Sequence, residues 1–390
     1  MPLVHLSDMI GYASRHNYAV GAFGVANLHF LEGIVQAAEQ CRSPVVLNLI
    51  ESHLENSDFE LLMSAAVAAA GRSEVPVAIS FDHGSTQLFA ERAIRAGCNG
   101  VMVDTSALPF SENLWRTRDV VTMAHACGVT VEGELGYVPG VEGENAKHHP
   151  GELVYTSAAE AAGYVERTGV DCLAVSIGTV HGRMKGIPKL DYARLAKIKE
   201  AVTVPLVIHG GTGLSDDQYR RLIANGAAKI NYYTGLADVA NRRIRENVAA
   251  DREHGSLMSG VSGVVREEVG RCLRLWGSGG RAAEVLAQCR AWREVEHVVL
   301  YNVPEGISES KVAATMCEAK KAMEVIPGVR SIRTGQVIHS DGKYRYCLRT
   351  RLASQAALEG YRKHSAYLQF SSKVFWPMLA EQVRLDVSDM

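Results

Sequence analysis

No window of this 390-residue chain approaches the roughly 20 consecutive apolar residues that a membrane-spanning helix needs, which excludes an integral helical membrane protein. The opening segment MPLVHLSDMIGYASRH lacks the apolar core of a signal peptide, so a cytoplasmic protein with no membrane partner is expected. Charge of one sign is also missing: 41 basic residues face 43 acidic ones, the net charge is −2, and the isoelectric point is near 6.7. No lysine or arginine cluster is long enough to track a phosphate backbone, so nucleic acid is not an expected partner. Cys41, Cys98, Cys127, Cys172, Cys272, Cys289, Cys317 and Cys347 include no CxxC pair. That scatter argues against a thiolate zinc site or a disulfide frame and for buried, reduced thiols.

What the chain has is apolar content, 47% against 22% charged, enough for a large core and more than one domain. Up to about residue 250, short β-rich runs recur as AVGAFG (19–24), PVVLNLI (44–50), VAISFD (77–82), GVMVD (100–104), VTVEGEL (129–135), CLAVSI (172–177), PLVIHG (205–210) and KINYY (229–233). Between them lie stretches with helical spacing, opened by the N-cap candidates Asn27, Ser57, Ser85, Ser111, Ser157 and Ser215. Gly71, Gly97, Gly128, Gly169 and Gly226 close them as C-caps or close to it. Strands alternating with helices call for parallel pairing, because a parallel neighbour needs a crossover. The fold class is therefore α/β, and eight such units favour closure into a (β/α)8 TIM barrel over an open doubly wound sheet.

Catalytic groups of such barrels gather where the strands end. Those ends carry Gly24, Ile50 and Glu51, Asp82 and His83, Asp104, Glu134, His181, His209 and Asn231. His83, His181 and His209 each follow an apolar run closely and are each followed at once by glycine, in ISFDHGS, VSIGTVHG and LVIHGGTG. Three strand ends converge on one point, and three imidazoles with an open fourth position make a catalytic zinc site the leading expectation. His5, His16, His53, His125 and His254 have no such context and read as structural or solvated. Glycine-rich turns after strands six to eight supply backbone N–H groups for a phosphate: Gly182, Gly210, Gly211, Thr212, and Asn231, Tyr232, Tyr233 and Thr234, with Lys185 as a point charge. The long, glycine-rich and acidic loop GYVPGVEGENAKHHPGE after strand five is suited to closing over a substrate.

The segments FDHG (81–84), VEGELGYVPGVE (131–142), VSIGTVHGRMKGIPKLDYARL (175–195), PLVIHGGTGL (205–214) and KINYYTGL (229–236) resemble class II, zinc-dependent ketose-bisphosphate aldolases, the fructose- and tagatose-bisphosphate enzymes. The similarity spans residues 1–285. It implies that His83, His181 and His209 hold zinc and that Asp82 exchanges a proton with the C4 hydroxyl or aldehyde oxygen. It further implies that Glu142, with Glu144 as fallback, deprotonates C3 of dihydroxyacetone phosphate, and that Asp104 and Glu134 hold the metal in an alternative or second location. The implied substrate is a small phosphorylated sugar, and a monovalent cation is left open as an activator. The chain departs from the family at Gly24, where Asn is usual, at Ile50, where Ser is usual, and at Tyr232 and Tyr233, where the residues are small. Lost polar groups and added bulk imply a variant substrate rather than an assured fructose or tagatose 1,6-bisphosphate. Two other classes stay open: a metal-dependent hydrolase of a phosphorylated small molecule, and a non-catalytic sugar-phosphate-binding protein.

The barrel region ends in a helical segment, VREEVGRCLRLWGSGGRAAEVLAQCRAW, whose GSGG reads as a turn, and the domain boundary is expected as a linker over residues 286–295. Residues 296–390 then read strand, helix, strand, strand, one or two helices, strand, a ferredoxin-like α+β order. His297 before VVLY, IPGV (326–329) and EGYRKHSAYLQF make this part resemble the stress-responsive A/B-barrel family. Its members commonly pair their sheets into dimeric barrels, so a homodimer or homotetramer is expected, with a lid or recognition role second. His364 and Tyr367 lie where related modules carry a His-rich segment, but read as helix-surface residues.

Overall fold

The computed structural model describes residues 2–140, 154–183, 189–250, 253–338 and 343–388. All eight β-rich runs are strands: β1 (Val20–Gly24), β2 (Val45–Ile50), β3 (Val77–Gly84), β4 (Gly100–Val103), β5 (Thr130–Leu135), β6 (Cys172–Val175), β7 (Leu206–Ile208) and β8 (Ala227–Tyr232). Each pairs in parallel with the next, and β8 returns to β1, which closes the barrel. Almost every strand residue is buried, because one face meets the barrel interior and the other meets helices; this is why the runs read as continuous rather than alternating apolar sequence.

The helices begin as their local chemistry dictates, and not always at the expected residue. Asn27 accepts from the backbone N–H groups of His29 and Phe30, Ser157 from Glu160, and Ser215 forms a reciprocal capping box with Gln218. Asp58 takes the role expected of Ser57 and accepts from Leu61. Ser85 instead donates its hydroxyl to Glu51, while Thr86 accepts from Phe89. Ser111 lies inside the helix Phe110–Ala126, whose first turn hangs on the Pro109 carbonyl, since proline suits a helix start. Among the expected closing glycines, Gly169 is a left-handed cap at φ 75°, but Gly71 lies within the helix Phe59–Arg72.

The chain divides into two compact units: Met1–Ala90 with Cys98–Val121 and Thr130–Ala291, and Glu91–Gly97 with Thr122–Val129 and Trp292–Met390. The first holds the barrel and the helices Val261–Leu275 and Ala282–Gln288, separated by a turn in which Gly277 and Gly280 have φ of 76° and 81°. The second holds an antiparallel sheet of β9 (Val295–Asn302), β10 (Val329–Gln336), β11 (Tyr346–Leu352) and β12 (Glu381–Ser388), in the order β10-β11-β9-β12. With helices Glu309–Met323 and Gln355–Lys363 this is a mixed α/β unit of the expected ferredoxin-like order. Strand β9 alternates buried and half-buried residues, as a sheet covered on one face does. His297 lies on its buried side, with Nδ1 2.7 Å from Asp386. His364 is not a plain surface residue, because its Nδ1 accepts from Ala366 and starts the helix Ser365–Phe370. No helix among the described residues is long and apolar enough to cross a membrane.

Candidate active site

Neighbours in a strand point to opposite faces, so Asp82 and His83 reach the same site only if the strand breaks its alternation. It does. His83 has φ 50°, left-handed for a residue with a side chain, and the pairing of β3 with β4 slips between Phe81 and Gly84. Such backbone costs about 1–3 kcal/mol and persists only where its surroundings impose it. Asp82 then accepts from the amides of Asn48 and Asn231 at 2.6 and 2.9 Å, and His83 turns Nδ1 to Asp104 at 2.9 Å.

The structure brings the three expected histidines together. Ring centroids of His83 lie 4.7 Å from His181 and 4.9 Å from His209, and the latter two are 5.5 Å apart. One nitrogen from each lies within 4.8 Å of the others, so the three can hold a metal ion. The opposite nitrogen of each ring has an acceptor: Asp104 Oδ2 for His83, the Val138 carbonyl at 3.1 Å for His181, and Glu132 Oε1 at 2.7 Å for His209. In a neutral ring, a proton held at the back leaves the front lone pair for a metal, the arrangement that orients metal-binding imidazoles. Two further clusters of donors fall within the same distance limit, Asp82 with Glu132 and His209, and His83 with Asp104 and Glu134. Glu134 Oε2 lies 3.2 Å from His209 Nδ1.

The charges follow. Burial works to raise the Asp82 carboxyl, but the charges of His83, His209 and Lys229 and the Asn48 hydrogen bond hold it down at about 2. Burial works to lower His83, but Asp82 and the Asp104 hydrogen bond outweigh it and raise the ring to about 9. His209 is raised well above the ordinary imidazole value, because Glu132 and Glu134 outweigh its burial. His181 is lowered well below that value by burial and by the two neighbouring rings. At neutral pH His83 and His209 therefore hold protons that an entering cation must expel. Divalent-metal affinity is expected to rise with pH, about tenfold per unit for each proton displaced. Competition with a chromophoric chelator at about pH 6 and about pH 8 checks this. An affinity indifferent to pH would contradict it.

Sequence reasoning missed Glu132, Lys229 and Asn48. Lys229 is fully buried and donates to Glu132 Oε2 and Asn231 Oδ1, each at 2.7 Å. Glu132 and Lys229 stand two residues before Glu134 and Asn231 on β5 and β8, so the two-residue period of a strand places each pair on one face. That rule was the available signal.

The expected phosphate residues are partly assembled. Gly182 and Gly210 have φ of 79° and 66°, and a Cβ at Gly210 would lie 2.2 Å from the Val180 carbonyl oxygen. Thr212 accepts from the Gly235 N–H at 3.1 Å, which ties the Gly210, Gly211, Thr212 turn to the start of helix Thr234–Ala249. Arg183 pairs with Asp238 of that helix through Nε at 2.9 Å. Gly210→Ala is expected to lower the melting temperature by several degrees and to raise KM, because both the φ and the close backbone approach exclude a side chain. Thermal unfolding and steady-state kinetics test this. Tyr232 corrects the expectation for its side chain. The strand alternation turns it outward, where its hydroxyl donates to Glu268 and its ring meets Phe23 and Trp276, leaving only backbone at the rim. Asn231 likewise spends its side chain on Asp82 and Lys229. Glu142, Glu144 and Lys185 lie outside the described residues.

The departures noted in the sequence meet in space. A Cβ on Gly24 would lie 2.7 Å from the Tyr233 ring, so the absent side chain at 24 is what admits that ring. Tyr233 also packs on Phe30 and, at 3.8 Å between centroids, on His53, which the sequence had read as structural or solvated. Ile50 lines a cavity of about 350 Å³ with Ser52, His83, Asp104, Tyr137 and His181. A larger cavity, about 750 Å³, shares Ser106, Ala107 and Tyr137 with it and is walled by Leu108, Phe110 and Tyr155.

Comparison with known proteins accords with this geometry. Residues 4–281 match the family described as fructose-bisphosphate aldolase class-II, and residues 295–389 match the stress responsive A/B barrel domain. A fructose-bisphosphate aldolase of Geobacillus stearothermophilus is 38% identical over 292 residues, covering 73% of this chain and all of that protein. A probable fructose-bisphosphate aldolase of Bacillus subtilis is 37% identical, covering 72% and 100%. The crystal structure of the YdjI aldolase from Escherichia coli K12 superposes with a TM-score of 0.65 at 35% identity, covering 72% of this chain and 99% of that one.

Proposed function

The chain belongs to the class II fructose-bisphosphate aldolase family, and from that premise we propose a zinc-dependent lyase that reversibly cleaves a ketose phosphate to dihydroxyacetone phosphate and an aldehyde. The observation that carries the metal reading is the set of three front-facing imidazole nitrogens, each with its rear nitrogen hydrogen-bonded. Three nitrogen donors suit zinc, with His83, His181 and His209 as the ligands. Bound there, zinc would supply Lewis acidity to the carbonyl beside the carbanion that cleavage leaves.

The remaining work falls to this chain's own groups. Asp82 is buried and held as a carboxylate by two amide donors, so it is ready to take the proton of the C4 hydroxyl in the cleavage direction. Backbone N–H groups around Gly182, Gly210, Gly211, Thr212, Tyr233 and Thr234 would hold the phosphate, helped by the start of helix Thr234–Ala249. Asp104 orients His83, and Asp104 and Glu134 offer an alternative metal position. Glu142 is our candidate for the base at C3, and Lys185 for a charge on the phosphate.

Gly24, Ile50 and Tyr233 support a variant aldehyde half. Ile50 gives the cavity beside His83 an apolar wall, and apolar walls do not replace the hydrogen bonds of a polar substrate end. The direct test is condensation of dihydroxyacetone phosphate with a panel of aldehydes by the zinc-loaded protein. We expect an aldehyde other than glyceraldehyde 3-phosphate to be preferred. If fructose 1,6-bisphosphate is clearly the best substrate in cleavage, the variant reading fails; if no aldehyde condenses, the lyase reading fails.

A further inference from the structure

Beyond its charge favouring the ionised Asp82, Lys229 has no role in the chemistry above, yet it is a fully buried ammonium in the barrel's polar interior. An ammonium only donates, so each polar atom against it must be an acceptor. Against it lie Glu132 Oε2 and Asn231 Oδ1, both at 2.7 Å. This settles two orientations at once. Asn231, with its oxygen on Lys229, must present its amide nitrogen to Asp82, 2.9 Å away. Glu132, anchored by one oxygen, presents the other to His209 Nε2 at 2.7 Å.

We infer that Lys229 is a positioning residue: acting through Glu132, it determines which nitrogen of His209 faces the metal. The inference rests on the metal site proposed above. An ionised carboxylate only accepts, so the Nε2 beside it must carry the proton. Glu134 Oε2 lies 3.2 Å from Nδ1 but makes no hydrogen bond with it, so the neutral ring has its lone pair on Nδ1, the nitrogen that faces inward, 3.4 Å from His181 Nε2. The Asn231 amide nitrogen also lies 3.0 Å from Nε2. A bare Nε2 accepting from it would set its lone pair against the Glu132 carboxylate, whereas a protonated Nε2 makes the stronger, charge-assisted bond.

The arrangement makes Glu132→Gln informative in a way that simple loss of a contact is not. Lys229 would claim the amide oxygen of the new side chain and leave its NH2 group facing His209 Nε2. Nε2 would then have to accept, which moves the ring proton to Nδ1 and blocks the metal. With Lys229→Met added, only the weakly donating Cys172 thiol, 3.6 Å from the Oε2 position, still favours that orientation. The amide turns, accepts from Nε2–H, and returns the lone pair to Nδ1. A merely structural role for the Lys229 and Glu132 pair predicts that the double variant is no better than the single one.

The experiment measures zinc affinity of the full-length protein by competition with a chromophoric chelator, together with imidazole nitrogen-15 spectra of the zinc-loaded forms. In the wild type we expect His209 to be ligated through Nδ1 with its proton on Nε2. Glu132→Gln should weaken zinc binding about 10–100-fold, and Glu132→Gln with Lys229→Met should regain most of that loss. The inference is overturned if Glu132→Gln binds zinc as the wild type does, or if the double variant binds no more tightly than the single. Ligation of wild-type His209 through Nε2 overturns it without any variant. A wild type that takes up no zinc sinks the metal site itself, a failure distinct from that of Lys229.

Discussion

Asp82→Ala is expected to lower kcat for cleavage about 10²–10⁴-fold, the span a positioned general acid or base supplies, while zinc content stays at the wild-type level. Asp82 lies beside the histidine cluster but is not one of its three imidazoles, and its Oδ2 is 3.9 Å from His83 Nε2. Its two amide partners, Asn48 and Asn231, favour the charged form, as do the cationic neighbours that hold its carboxyl at about 2. The carboxylate is thus present throughout the neutral range and is lost only as the pH falls through about 2. Removing it takes away the proposed proton acceptor while leaving all three imidazoles in place. Steady-state kinetics on zinc-quantified protein decides the matter, and an unchanged kcat would remove Asp82 from the reaction.

His181→Ala is expected to abolish measurable cleavage and to leave dialysed protein with less than one zinc per chain. His181 is the cleanest of the three histidines to delete. Its rear partner is the Val138 carbonyl, whereas removing His209 also strips Glu132 and Glu134 of a neighbour and leaves buried carboxylates short of one. It is also the ring that burial keeps neutral, so it offers a lone pair without first losing a proton. Zinc that binds the folded state alone should raise the wild-type melting temperature and raise that of the variant far less. Equal zinc content and equal thermal shifts would show that His181 is not a ligand.

The barrel was legible because parallel strands buried on both faces leave uninterrupted apolar runs, and all eight were read within a few residues of their ends. The histidines were legible because they follow those runs and precede glycine. Helix starts were less so: Ser57 and Asp58 are both good caps in adjacent positions, and only the chain path chose the second. The polar interior was missed for the opposite reason from the rim. Asn48, Glu132 and Lys229 sit within strand sequence, where each reads as an isolated polar residue, and their partners are supplied by strands far away in sequence. Tyr232 was misplaced because its motif suggested the rim while the strand period turns it outward. The packing of Tyr233 over Gly24 joins residues more than 200 positions apart in sequence, so two departures that looked separate are one change in shape.

The measurement that bears most directly on this account is cleavage activity as a function of bound zinc in protein first stripped with a chelator. Activity should vanish in the stripped protein and rise in proportion to zinc until one ion is bound per chain. Stripped protein that cleaves a ketose phosphate as fast as the zinc-loaded form would contradict the account at its root.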